Sequence, residues 1–275
     1  MRTVVHLSDL HFGRVHADLL APLRDAVVAL KPDATCVSGD LTQRARRGQF
    51  REAAAFLATL PEPRIVVPGN HDVPLYDVMR RFLAPLDRFR EHIEADPFPT
   101  FIDEEIAIVG VNTARSLTFK DGRINAGQVS EVERRFRGLP DAVTRIVVTH
   151  HPFDVAEDHH RPRDMVGRAA MAMEAFAAAG VDLFLSGHLH STRAASTAQR
   201  YRIAGFAALV IQAGTTTSRR GRGEANAFNV LRIGGASLEL ETWSFDAQRA
   251  AFAAAAPRRY AYAPGAGWAE SPMAA

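Results

Sequence analysis

The sequence predicts an α/β protein, and three observations predict it. Through the first two-thirds of the chain, short apolar runs of strand length alternate with longer segments of helical spacing. Most of those runs end in blocks of glycine, aspartate, asparagine and histidine, which is where open α/β sheets gather their sites. Beyond His190 the pattern changes to consecutive strand-like segments divided by glycine-rich turns, an antiparallel signature.

Each element has its own warrant. Residues 3–7 form a short apolar strand, and 17–30 set Leu19, Leu20, Leu23, Val27 and Leu30 at helical spacing. Residues 35–37 read as the next strand. The stretch 48–60 is rich in Ala and Phe with helical periodicity and stops at Pro61. Residues 64–67 make a third strand, and Pro68-Gly69-Asn70 turns the chain out of it. Segment 76–94 is helical in pattern, is broken at Pro85, and suits a cap over a site. Residues 100–103 and 106–111 pair as a hairpin around Glu104-Glu105. An amphipathic helix is expected over 128–137. Strands follow at 145–149 and 181–185, with an Ala-rich helix over 166–179 between them. Segments 200–203, 207–212, 227–233 and 237–245 read as consecutive antiparallel strands of a second sheet, with turns at 221–223 and Gly234-Gly235. Residues 1–246 are therefore expected to form the domain. Residues 247–275, rich in Ala, Pro and Gly, are expected as a poorly ordered tail or a segment pinned on the surface or on a partner subunit.

With 275 residues, 47% of them hydrophobic, the chain can bury a sizeable core. A net charge of +2 does not call for nucleic acid. Cys36 is the one cysteine, so no internal disulfide forms and a reducing compartment is expected. Its apolar neighbours mark it as a small buried hydrophobe. Val4-Val5-His6-Leu7 follows the N-terminus without a basic head or apolar leader, and no apolar run is long enough for a bilayer. A cytoplasmic protein without a membrane partner is the expectation.

The chemistry lies in five blocks: Ser8-Asp9-Leu10-His11, Gly39-Asp40, Gly69-Asn70-His71-Asp72, Thr149-His150-His151-Pro152 and Gly187-His188-Leu189-His190. Carboxylates and imidazoles gathered at strand ends are what a two-metal hydrolytic site requires. Asp9 and His11 are two residues apart and would face one side of an extended strand end, where they could bind one ion together. The carboxylate of Asp40 has two oxygens and can bridge two cations. No Walker-type glycine loop or dinucleotide fingerprint is present.

The order D-x-H, GD, GNHD, H, GHxH resembles the calcineurin-like metallophosphoesterase superfamily, with the match running from position 9 to 190. The resemblance implies that Asp9, His11 and His190 hold one metal, that Asp40 bridges, and that Asn70, His150 and His188 complete the second. It implies two divalent ions, for which Mn²⁺, Fe²⁺ or Zn²⁺ suits a mixed O/N set without thiolate. His71 is the implied non-ligand catalyst, reaching a phosphoryl oxygen or protonating the departing alkoxide. Asp72 either orients His71 or caps the following segment. His150 is taken as the ligand and His151 as its support from behind. His159 and His160 either reach substrate or belong to an exposed polar loop, and His6, His16 and His92 carry no spacing argument. The implied reaction is in-line attack on phosphorus by a hydroxide bridging the metals.

Within the superfamily the chain looks like the bacterial class III cyclic-nucleotide phosphodiesterases, which implies a four-layer αββα sandwich of two mixed sheets, completed by the C-terminal strands. The partner expected is a small phosphoester, a nucleotide, and the family precedent admits a homodimer. Segments 76–94 and 154–164 would set selectivity. The alternatives are a lipid-linked pyrophosphatase with Phe82 and Phe89 near an acyl groove, a DNA-processing nuclease, a phosphomonoesterase and a non-catalytic scaffold. Arg44, Arg46 and Arg47 follow Asp40 and either touch a phosphate backbone or form a solvated helix start.

Overall fold

The computed structural model describes residues 1–118, 120–155, 164–219 and 224–271. In the first sheet, β1 (Arg2–Leu7), β2 (Ala34–Ser38) and β3 (Arg64–Val67) run parallel and side by side. In the second, β4 (Thr100–Ile102) forms a hairpin with β5 (Ile106–Gly110). Parallel to β5 follow β6 (Thr144–Val148), β7 (Leu183–Ser186) and β9 (Leu209–Gln212), with β8 (Arg193–Ser196) antiparallel at the edge. Strands buried on both faces need continuous apolar runs, and Ile106–Gly110 and Thr144–Val148 are buried throughout.

The period of two along each strand sorts its side chains into two cores. Ile106 and Ile108 of β5 enter the space between the sheets, against Val4, Cys36 and Ile65 of the first sheet. Ala107 and Val109 face the other way, onto Val129 and Val132 of α5 (Ala126–Phe136) and Met173 and Phe176 of α6 (Ala169–Ala178). The first sheet is covered in the same manner by Leu23 and Val27 of α1 (Leu20–Leu30) and by Phe50, Ala53 and Phe56 of α2 (Arg47–Leu57). Helix, sheet, sheet and helix therefore stack as four layers, the sandwich that was expected. Helix α5 begins where Asn125 and Gln128 exchange side-chain to backbone hydrogen bonds of 2.9 and 3.1 Å, a reciprocal cap. The segment expected over 76–94 divides into α3 (Val78–Leu83) and α4 (Asp87–His92) around Pro85. No helix of the described residues is long and apolar enough to cross a membrane.

Two expectations change at the C-terminal end. The later strands do not make a sheet of their own. Strand β9 lies in the second sheet, while β10 (Ala227–Gly234) and β11 (Ser237–Asp246) extend the first sheet antiparallel from β1. Residues 200–203 form no strand. The segment after Ala247, expected as a tail, adds β12 (Ala251–Ala254) and β13 (Arg258–Ala263) against β11, and β14 (Gly267–Glu270) against β13. What holds it is aromatic: Tyr260 and Trp268 are buried in the core between the sheets, and Trp268 Nε1–H donates to Asp182 Oδ1 at 2.9 Å. The expected turn over 221–223 lies outside the described residues, as do His159 and His160.

Candidate metal centre

The five blocks occupy the loops leaving β1, β2, β3, β6 and β7, all at the carboxyl ends of parallel strands. The loops are bound to one another through the backbone. Asp9 N–H donates to Gly39 O at 3.1 Å, His11 N–H to Asp40 O at 2.9 Å, and Gly187 N–H to His150 O at 3.1 Å. Asp9 and His11 are not extended, as their spacing suggested: each has φ 53°, and Asp40, His188 and His190 are left-handed as well. Non-glycine residues held there cost about 1 kcal/mol or more each and persist where surrounding bonds over-determine them. Two glycines permit the close approach. A Cβ on Gly69 would stand 2.2 Å from Asp40 Oδ1, and one on Gly187 would stand 1.8 Å from Ser8 Oγ.

All seven expected ligands converge. Asp9, His11 and His190 form one group of donor atoms and Asp9, Asp40 and His150 another, each within 4.8 Å. His190 Nε2 lies 3.3 Å and His11 Nε2 3.5 Å from Asp9 Oδ1. The two oxygens of Asp40 point to different halves: Oδ1 is 3.5 Å from His150 Nε2 and Oδ2 is 3.7 Å from His11 Nε2. On the far side Asn70 Oδ1 lies 3.1 Å from His150 Nε2 and 3.2 Å from His188 Nδ1.

Hydrogen bonds from behind aim these atoms. His150 Nδ1–H donates to Ser38 O at 2.8 Å, which turns the Nε2 lone pair toward the centre. His190 Nδ1 lies 2.7 Å from Thr215 Oγ1. Asp9 Oδ2 accepts from Ser8 Oγ at 2.6 Å and from His188 N at 3.1 Å, whereas Asp9 Oδ1 is buried and accepts no hydrogen bond. A buried carboxylate oxygen without a donor, ringed by imidazole nitrogens, fits a cation. The charges agree. Burial opposes ionisation of Asp9, yet His190, His11 and His150 hold its carboxyl well below the usual range. Asp40 is also held low against burial, by His150, His71 and His11. Burial and the neighbouring His150 push His188 down to about 3, so its imidazole stays neutral, as a metal ligand would have to be.

Three residues complete the picture. His71 is half-buried; its N–H donates to Asp40 Oδ1 at 2.8 Å and its Nδ1–H to Gln43 O at 3.0 Å. Its ring meets that of His11 edge-on, with the centroids 5.0 Å apart. Asp72 neither orients His71 nor caps α3, which Asp77 caps instead. Its carboxylate accepts from the backbone N–H of Leu41, Thr42 and Gly69 at 3.1, 2.8 and 2.9 Å, clamping the loop after β3 to the loop after β2. Burial and the charge of Asp40 raise it to about 6. His151 falls in a geometric trio with His150 and His188, but its nitrogens are engaged: Nε2–H donates to Lys120 O at 2.8 Å and Nδ1 accepts from Thr113 Oγ1 at 2.9 Å. Its ring meets that of His150 edge-on, with the centroids 4.9 Å apart.

Ser38, Gln43, Thr113 and Thr215 had no signal in the sequence, because hydroxyl and carbonyl supports carry no spacing of their own. His6 also had none; it lies beneath the site with Nε2 2.9 Å from Ser38 Oγ, and burial lowers it to about 3. Arg81 of α3 is buried and donates to Pro74 O at 2.8 Å and Ser116 O at 2.7 Å, which fastens this segment beside the centre.

Comparison with known proteins agrees with this geometry. The family model described as calcineurin-like phosphoesterase matches residues 2–192. The glycerophosphodiester phosphodiesterase GpdQ of Enterobacter lignolyticus (strain SCF1) is 26% identical over 179 residues, 58% of this chain and 60% of that protein. A probable glycerophosphodiester phosphodiesterase GpdQ of Arcobacter nitrofigilis is 24% identical over 186 residues, 62% of this chain and 64% of that one. The chain thus spans less than two thirds of the length of either relative. Among solved structures, purple acid phosphatase PPD1 from yellow lupin (Lupinus luteus) seeds superposes with TM-score 0.62 at 12% identity, covering 88% of this chain and 51% of that one. A putative 5′-nucleotidase from Staphylococcus aureus superposes with TM-score 0.51 at 16% identity, over 96% of this chain and 54% of that one. These two likenesses concern the fold.

Proposed function

The chain belongs to the calcineurin-like phosphoesterase family, and from that premise we propose that it hydrolyses phosphodiesters at a two-metal centre, with cyclic nucleotides as substrate. The observation that carries the reading is Asp40, whose two oxygens face two separate groups of ligand atoms. Asp9, His11 and His190 would hold one ion and Asn70, His150 and His188 the other. Divalent ions of the Mn²⁺, Fe²⁺ or Zn²⁺ class supply a lowered pKa for water and neutralise charge on phosphoryl oxygens.

The chain's own residues do the rest. Ser38, Thr215 and Ser8 fix His150, His190 and Asp9 in place, so that little reorganisation accompanies reaction. His71 anchors its Nδ1–H on Gln43 O, and in its doubly protonated form its Nε2–H would donate a hydrogen bond to a phosphoryl oxygen or give its proton to the departing alkoxide, leaving the neutral imidazole. Cys36 offers no nucleophile to this site, because it lies in the inter-sheet core, where burial pushes its thiol up.

The names of the curated relatives favour a second reading, glycerophosphodiesters as substrate. A panel of 3′,5′- and 2′,3′-cyclic nucleotides, glycerophosphodiesters, monoesters and single-stranded DNA, each with Mn²⁺, Fe²⁺ and Zn²⁺, separates the two. Preference for cyclic nucleotides supports the proposal, and preference for glycerol esters replaces it with the second reading. Hydrolysis of bis-p-nitrophenyl phosphate that survives Asp40→Ala would remove the mechanism.

A further inference from the structure

Outward from the metal centre, side chains follow one another in a continuous run. His71 stands edge-on to His11, and its Nδ1–H donates to Gln43 O at 3.0 Å. Arg44 Nη1 donates to that same carbonyl at 3.3 Å. The Arg44 guanidinium lies over the ring of Tyr76, 5.8 Å from its centroid. Both members of the pair are fixed from the backbone. Arg44 N–H donates to Gln49 Oε1 at 2.9 Å, and Tyr76 O accepts from Val78 N at 3.1 Å in the segment that Arg81 fastens at Pro74.

Two features of this pair lack a structural reason. The Tyr76 ring remains 74% exposed although it stands four positions after Asp72. Arg44 has no carboxylate partner among the described residues, whereas its neighbour Arg47 is paired with Glu91 at 2.8 Å. With the guanidinium over the ring and 74% of the residue exposed, most of the tyrosine meets solvent.

We propose that Tyr76, held in place by Arg44, is the platform on which the base of a nucleotide substrate stacks, an inference that rests on the phosphodiesterase reading above and names its substrate class. A phosphoryl group at His71 directs the remainder of the ester either along this run or away from it. A nucleobase has a flat π-face and gains from stacking on an exposed aromatic ring beside a cation. A glycerol moiety has no such face and gains nothing there. The platform therefore separates the two substrate readings.

AMP and ribose 5-phosphate differ by the base alone, so calorimetric titration of the Mn²⁺-loaded protein with each isolates the stack. Wild type is expected to bind AMP about tenfold more tightly, the scale of one aromatic–base stack. In Tyr76→Ala the two ligands bind alike, Tyr76→Trp keeps the preference, and Arg44→Ala, which leaves the ring unsupported, weakens it. With 3′,5′-cyclic AMP, Tyr76→Ala raises KM by about the same factor, while kcat/KM for a glycerophosphodiester is unchanged. Equal binding of the two ligands by wild type, or a preference that persists in Tyr76→Ala, overturns the inference. A protein that cleaves no phosphodiester but keeps the Tyr76-dependent preference rejects the proposed reaction instead. One that cleaves glycerol esters without any base preference rejects the platform and leaves the hydrolase reading standing.

Discussion

Replacing Gly69 by alanine isolates how closely the loop after β3 must approach the Asp40 carboxylate, the proposed bridge. The backbone there has φ −100°, which any residue adopts, so the substitution adds no conformational strain. What it adds is a methyl group 2.2 Å from Asp40 Oδ1 and 2.3 Å from Asp40 N. Neither neighbour can step aside, since one is backbone and the other is tied to His71 N–H at 2.8 Å. Relief of the collision therefore shifts the Asp40 carboxylate by about 1 Å, a displacement that costs on the order of 100-fold in rate at an active site. Overpacking adds about 1–3 kcal/mol of instability. The assay is kcat/KM for bis-p-nitrophenyl phosphate across a Mn²⁺ titration, with thermal unfolding in parallel. Gly48→Ala serves as the control, because no atom lies within 4 Å of its new methyl group in the first turn of α2. That control should keep full activity and unfold at the same temperature or higher. A Gly69→Ala protein within about threefold of wild type in kcat/KM, with its metal content intact, would refute the reasoning, since the expected displacement is worth far more.

Other perturbations test other links. His71→Gln should lower kcat by about 10²–10⁴-fold on an ester with an alkoxide leaving group and far less on bis-p-nitrophenyl phosphate, whose leaving group needs no proton; equal losses would exclude proton donation by His71. In chelator, the metal-free protein should lose about 2–3 kcal/mol of stability between pH 7.5 and 5.0, measured by urea unfolding. The sign follows from His6 and His188, both lowered from 6.5 to about 3, and burial lowers His151 in the same direction: their stabilisation is full above 6.5 and is lost as pH falls toward 3. Asp72, raised from 3.8 to about 6, acts oppositely, being most stabilising below 3.8 and losing that as pH rises through 6, and one carboxyl does not offset these imidazoles. Equal stability at the two pH values would contradict this balance. Trp268→Ala should cost about 3–5 kcal/mol, as for an aromatic deleted from a core, while activity at low temperature survives; an unchanged melting temperature would restore the view of this segment as a loose tail.

The parallel strands and most helices were legible because their signal is local: an apolar run or a period near 3.6 that ends in a turn residue. The convergence of the seven candidate ligands was legible for a different reason, since each is marked by its neighbours in a short block. What the sequence concealed was long-range pairing. Strands β10 and β11 alternate as any antiparallel pair does, and nothing in Ala227–Gly234 says that its partner is Arg2–Leu7. The last strands were hidden by composition, because the small residues of Ala251–Ala254 and Gly267–Glu270 mask the few aromatic side chains that anchor them. Asp72 misled by adjacency. Standing beside His71, it suggested a partner for that imidazole, but the turn at Asn70–Asp72 points its carboxylate back toward Leu41 and Thr42.

The family match ends at residue 192, yet the centre depends on residues beyond it. Thr215, Thr216 and Thr217 run along the loop that carries Asp9 and His11. Ser8 N–H donates to Thr216 Oγ1 at 3.1 Å and Thr216 N–H returns a bond to Ser8 O at 3.0 Å. Thr217 Oγ1 donates to Leu10 O at 2.9 Å, and Thr215 Oγ1 lies 2.7 Å from His190 Nδ1. These bonds bracket Asp9 and reach each of the three groups assigned to one metal or the backbone beside it. The left-handed conformations of Asp9, His11 and His190 are unfavourable when isolated, so something must hold them. The threonine segment does so from one side and the loop after β2 from the other. It can lie there only because β9 belongs to the second sheet and β10 to the first, which forces the connecting chain across the ends of both. The strand exchange that sequence periodicity did not disclose is therefore what carries the supporting hydroxyls to the candidate metal centre.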